Sequence, residues 1–179
     1  PSNMFAIEVL GKLAELCSLP AMTTSKIPSI AKKLQQQVMN GLQQDGIIQH
    51  PKFGRIIAFE VNGFGSFHLM DDANVPSLLS LPYLGAIKPN DPLYLNTRKV
   101  VLSANNPFYY KGKAGEGIGG PHTGADTIWP MSIILRAITS VNEAEVKNCI
   151  DTLIKTHAGT GFMHESFHKD DASKYTRKW

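Results

Sequence analysis

The sequence predicts a mainly α-helical fold built from successive helix pairs, with one short β-hairpin near residues 55–70. Apolar residues recur at steps of three and four in several stretches, the spacing of one helix face. Cap-forming residues stand before some of these stretches, and glycine, proline and small polar residues separate them. One region alone is rich in β-branched and aromatic residues around an Asn-Gly step, the pattern of two antiparallel strands and a tight turn. Paired helices fit a bundle, a solenoid or an α/α barrel, and periodicity does not choose among the three.

The first helix is expected from Asn3 to Cys17, where Met4, Ile7, Leu10, Leu13, Ala14 and Cys17 share a face. A turn around Ser18-Leu19-Pro20 ends it. Ser25 caps the second helix, whose first turn tolerates Pro28. Ile27, Ile30, Ala31, Leu34, Val38 and Leu42 form its buried stripe, to about Gln44. Two strands are expected at roughly 55–61 and 65–70, on either side of Asn62-Gly63. Asp71-Asp72 then reads as the cap of a helix that starts near Val75 and ends before Gly85. Residues 91–104 read as a further helix.

Residues 105–124 contain Gly112, Gly115, Gly117, Gly119, Gly120 and Gly124 and read as a long loop. A loop of that length in a compact domain is usually functional. A helix is expected from about Ile128 to Thr139. Ser140 with Glu143 matches a capping box ahead of the last helix, whose face is Val146, Cys149, Ile150, Leu153 and Ile154. The stretch 158–168 reads as loop.

Composition narrows the function classes. The chain has 179 residues, one ordinary domain's worth, with 42% hydrophobic and 18% charged residues. That is enough apolar material for a core and argues against wholesale disorder. The net charge of +3 is spread without a basic run, which gives no reason to invoke nucleic acid or a membrane surface. No apolar run reaches the ~18 residues of a membrane span. Cys17 and Cys149 are too few for a disulfide framework or a four-thiolate zinc site and read as small buried hydrophobes. The chain opens on Pro1 directly in apolar helix and stops at Trp179 without a polar tail. It therefore reads as a single segment of a longer protein, truncated at both ends, and its compartment stays open.

The polar clusters fall between the apolar helices: Asp71-Asp72-Ala73-Asn74, Asn96-Thr97-Arg98, Gly119 to Thr123 with Trp129, and His164-Glu165-Ser166. Loops that converge at one end of a helical fold can build a pocket. Asp71 and Asp72 are either a helix cap with a dipole partner or, with Asn74, ligands for sugar hydroxyls. His122 either enters a helix or reaches a substrate from a flexible loop. Trp129, Tyr83, Tyr109 and Tyr110 are either core or platforms for the apolar face of a sugar. Glu165 is either a solvated surface group or a general base. His164 to His168 also spells H-E-x-x-H, in which two histidines one helical turn apart bind zinc. That reading requires a helix there, and the extended motif fails because Asp171 and Lys174 stand where Gly and His should be. The glycine-rich 112–120 segment lacks a Walker Lys and Ser/Thr and does not join a strand to a helix as a dinucleotide loop must.

M-D-D-A-N-V-P-S-L-L-S-L-P-Y-L-G (70–85), T-R-K-V-V-L-S-A-N-N-P-F-Y (97–109), G-I-G-G-P-H-T (117–123), I-W-P-M-S (128–132) and G-T-G-F-M-H-E-S-F (159–167) closely resemble glycoside hydrolase family 125. That family comprises metal-independent exo-α-1,6-mannosidases of bacteria and fungi. The opening P-S-N-M-F-A and closing Y-T-R-K-W are similar to the same family, so the resemblance spans essentially the whole chain.

The resemblance implies an (α/α)6 barrel, of which these helix pairs would be about half. It also implies inverting hydrolysis of α-1,6-linked mannosides or mannose-containing glycans, without a metal or other cofactor. Glu165 matches the family's general base. Asp71, Asp72, Asn74, Arg98, His122 and His164 become candidate sugar-binding or base-positioning groups, although a helix-borne Arg98 can equally bridge two loops. The general acid resembles an Asp in an R-P-S-D-D type segment upstream of Pro1, so this segment alone is expected to be inactive. Two rivals stand beside this reading: a zinc hydrolase using His164-Glu165-x-x-His168, and a mannoside-binding protein without catalysis.

Overall fold

The computed structural model describes residues 1–20 and 25–178. The closing Trp179 of the Y-T-R-K-W motif lies outside them. Five α-helices and nine short strands alternate along the described chain. The helices are α1 (Ser2–Leu16), α2 (Ile27–Gly41), α3 (Pro92–Val101), α4 (Pro130–Ile138) and α5 (Glu143–Lys155). The first two pack against each other, as do the last two, in agreement with the expected pairing. Gln35 Nε2 ties α2 to α1 by donating to the Ile7 carbonyl at 2.8 Å. Gly11 leaves room for that amide, since a Cβ there would stand 2.7 Å from it.

A five-residue π-turn, Leu42–Gly46, leads from α2 into β1 (Ile47–His50). Here the structure differs from the single expected hairpin. Strand β2 (Gly54–Ile57) pairs backward with β1, and only β3 (Glu60–Val61) and β4 (Phe67–His68) flank the Asn62-Gly63 turn. The apolar Ile56 and Ile57 explain the choice: both are fully buried, and Thr97 Oγ1 of α3 accepts the Ile57 amide at 2.9 Å.

The helix expected from Val75 to Gly85 is a run of bends and turns. Its backbone amides are claimed by side chains. Asp71 accepts from Leu78 at 2.7 Å and Leu79 at 2.9 Å, and Ser77 and Ser80 cap each other's amides at 2.8 and 3.1 Å. Leu78, Leu79 and Leu81 still bury completely, in a core with Met4, Ile57, Val101, Ile118 and Leu135.

The expected loop of 105–124 contains an antiparallel pair, β5 (Tyr109–Lys111) and β6 (Glu116–Ile118). The expected loop of 158–168 contains β8 (His164–His168), which lies between β7 (Thr127–Ile128) and β9 (Asp171–Lys178). Phe167 of β8 closes a second core with Ile128, Ile133 and Cys149. Both cysteines are buried and free, as expected of small hydrophobes. Helix α5 is capped by Asn142, whose side chain accepts from Glu145 N at 3.2 Å, so the Ser140–Glu143 box does not form.

Candidate active site

Strand β8 places Glu165 at a pocket of about 420 Å³ lined by Trp129, Pro130, Met131, Ile134, Met163 and His164. Glu165 is the one carboxylate among the described residues that line it. Its side chain is 16% exposed, with Arg177 Nε 3.6 Å from Oε2. Thr176 donates its hydroxyl to the same oxygen at 3.3 Å and also bonds Ser166 Oγ at 2.8 Å. These β9 contacts fix the direction of the carboxylate. Thr176 and Arg177 belong to the closing Y-T-R-K-W motif, so the signal for them was present without any hint of which residue they serve.

Trp129 joins this pocket to a second group of polar residues. Its indole Nε1 donates to Thr123 Oγ1 at 2.8 Å, and the His122 ring meets it edge-on with centroids 5.0 Å apart. Gly120 lies between them, and a Cβ there would come within 3.8–4.0 Å of His122, Asp72 and Trp129 alike. Asp72, His122, Trp129 and Glu165 therefore form one continuous neighbourhood. Asn74 belongs to it through Asp72, whose Oδ1 accepts the Asn74 amide at 3.0 Å.

Asp71 and Arg98 are engaged away from the pocket, and His164 lines it beside Glu165 with its ring almost fully covered. Asp71 is fully buried, with both oxygens taken by the Leu78 and Leu79 amides. Burial pushes its carboxyl up to about 7, against the pull of those two amides. Arg98 forms a bidentate pair with Glu145 at 2.9 and 3.2 Å, donates to the Arg136 carbonyl, and lines a separate cavity of about 320 Å³. It bridges α3 to α4 and α5, helices rather than the two loops of the alternative reading. The His164 ring is 4% exposed and stacks on Tyr175 at 3.7 Å, with Nε2 near the His157 carbonyl. It can brace the strand that carries Glu165.

The zinc reading fails on backbone geometry. His164 and His168 lie on a strand, where residues four apart are separated by about 13 Å rather than stacked one helical turn apart. Tyr109 and Tyr110 pack against the two cores rather than the pocket. Tyr83 is exposed and is not among the described residues that line the pocket.

A carboxylate and an indole wall at one pocket, with polar loop groups beside the same indole, suit the binding of a carbohydrate. The family model of metal-independent α-mannosidases (GH125) matches residues 1–179, and the chain belongs to that family. A curated relative, the fission yeast "Meiotically up-regulated gene 157 protein" of Schizosaccharomyces pombe, is 46% identical over 180 residues. The match covers 100% of this chain and 35% of the relative, so the chain spans about a third of that protein's length. A solved metal-independent α-mannosidase structure from Streptococcus pneumoniae superposes with a TM-score of 0.96 at 41% identity. That match covers 100% of this chain and 42% of the solved one, a non-productive substrate complex with α-1,6-mannobiose.

Proposed function

We propose that the full-length protein is an exo-acting α-1,6-mannosidase working by inversion, and that this chain supplies its base, Glu165. The observation that carries the reading is the position of Glu165: a held carboxylate at the rim of a pocket whose wall is the Trp129 indole. In an inverting enzyme the base activates water on the face of the sugar opposite the leaving group, roughly 6.5–9.5 Å from the acid. Asp72, Asn74 and His122 supply acceptors and donors for sugar hydroxyls beside that wall. By the family resemblance the acid belongs to chain preceding residue 1, and the two helix pairs are part of an (α/α)6 barrel. The mannobiose-bound relative supports an α-1,6-linked substrate.

The test uses the full-length protein with α-1,6-mannobiose and a chelator, followed by proton NMR. Early release of β-mannose is expected. Glu165→Gln should then lower kcat by at least ~10² while leaving the fold intact, the scale of a lost general base. Early α-mannose would overturn the inverting mechanism. Mannoside binding without turnover would favour the non-catalytic rival.

A further inference from the structure

One buried polar side chain, Asn106, closes a ring of hydrogen bonds beside the pocket, and a second, Asp71, anchors the loop that the ring holds. Asn106 is 2% exposed and Asp71 is fully buried. Asn106 Oδ1 accepts the Asp71 amide at 3.1 Å and the Phe108 amide at 3.1 Å. Its Nδ2 donates to the Val101 carbonyl at the end of α3, at 3.0 Å. One amide thus joins a helix end, the start of β5 and the root of the Asp71–Asn74 loop. The Phe108 carbonyl in turn accepts the Gly119 amide at 2.8 Å, and the Gly119 carbonyl accepts the Ala73 amide at 2.9 Å. The ring runs Asn106, Asp71, Ala73, Gly119, Phe108 and back. On its far side the Asp71 carboxylate anchors the same loop to Leu78 and Leu79.

We infer that Asn106 and Asp71 are positioning residues of the mannoside site: they lock the Asp72–Asn74 loop to the Gly119–Thr123 loop, so that Asp72 and His122 are held beside each other and Trp129 around Gly120. This rests on the mannosidase reading for its functional consequence but not for its structural one. Neither residue has to touch substrate. Asp72 lies one bond along the chain from Asp71, and His122 follows three residues after Gly119, so slack in the ring displaces both together. A buried amide that uses both its acceptor and its donor in this way has no apolar substitute of the same shape.

The full-length protein carries the test, with Asn106→Ala and, in case that variant folds poorly, the near-isosteric Asp71→Asn. Hydrogen exchange by mass spectrometry is expected to rise at least tenfold in segments 71–79 and 117–124, with Glu143–Lys155 unchanged. With α-1,6-mannobiose, KM is expected to rise at least tenfold and kcat to change less. Exchange that stays at the wild-type level in those two segments, or rises equally in α5, overturns the lock. Localised exchange with KM within twofold of wild type overturns the positioning role. Wild-type protein that releases no mannose sinks the mannosidase reading instead, and the exchange pattern still decides the lock.

Discussion

Asp71 is fully buried, and its neighbour Asp72 is not. The two read alike in sequence because nothing local distinguishes them; Asp71 is told apart by partners seven and eight residues away. Its titration has a consequence for the whole protein. Burial raises the folded-state value to about 7 from 3.8, so the folded state holds a proton that the unfolded chain releases. Stability from this group is full below about pH 4 and is lost as pH rises through about 7, by at most ~1.4 kcal/mol per pH unit. Glu116 acts oppositely and in another window. Burial pushes its carboxyl up, but Lys111 and Arg136 outweigh that and bring it down to about 2. Its contribution is present above about pH 4.5 and fades as pH falls toward 2. Thermal unfolding of the full-length protein between pH 4 and 7 should show a falling Tm, and Asp71→Asn should flatten that slope. An unchanged slope in the variant would place the titrating group elsewhere.

At the scale of elements, the segment His164–His168 decides between two chemistries by being a strand. Its histidines serve separate local roles. His164 stacks on Tyr175, and His168 Nδ1 accepts the Asp170 amide at 3.2 Å in the turn between β8 and β9. His168→Ala should therefore leave turnover of mannobiose within about twofold of wild type, with the same insensitivity to chelator. A loss of ~10² or more would restore a direct role for that side chain. The same strand shows what the sequence made legible. The helices with clear apolar periodicity, α1, α2, α4 and α5, lie where the spacing puts them, because one-face burial is a local pattern. The strands β5, β6 and β8 were hidden. Each is three to five residues long and exists through pairing with distant segments, which leaves no periodic trace. Around the candidate site, Glu165, Asp72, Asn74 and His122 were singled out by resemblance of their motifs. The ring through Asn106 was not, since the Asn of N-P-F carries no mark of the three segments it joins.

At the scale of the molecule, charge pairs hold the elements together and apolar faces remain over. Glu145 of α5 bonds Arg98 of α3 and Arg136 of α4, and Arg136 reaches on to Glu116 of β6 at 2.8 Å. The side chains of Arg98, Arg136 and Glu145 are only 13–17% exposed, so removing Glu145 strands cations away from water. Breaking a fully buried pair costs about 3–5 kcal/mol. Here Arg136 keeps Glu116 and Arg98 keeps the Arg136 carbonyl, so Glu145→Ala should cost about 2–3 kcal/mol, seen as a Tm lower by roughly 5 °C or more. A Tm unchanged within a degree would show that solvent screens the network.

The apolar faces are a different matter, because nothing among the described residues covers them. Leu16 and Ile30 on the first helix pair are 59% and 62% exposed, and Ile154 on the second pair is 61% exposed. Leu34, Ile138 and Ile150 extend these faces. Single exposed apolar residues are ordinary, but stripes on paired helices are the surfaces by which helical layers pack. If the chain is part of a barrel, further helices of the longer polypeptide cover them. The 179-residue chain on its own should then bind a hydrophobic dye strongly and sediment as a concentration-dependent mixture of oligomers. The full-length protein should show neither property. Leu16→Gln with Ile30→Gln should reduce dye binding by the isolated chain, and the same pair should destabilise the full-length protein because it buries polar groups there. A monodisperse, dye-silent isolated chain would mean that these faces are ordinary surface, and the barrel proposal would lose its physical ground.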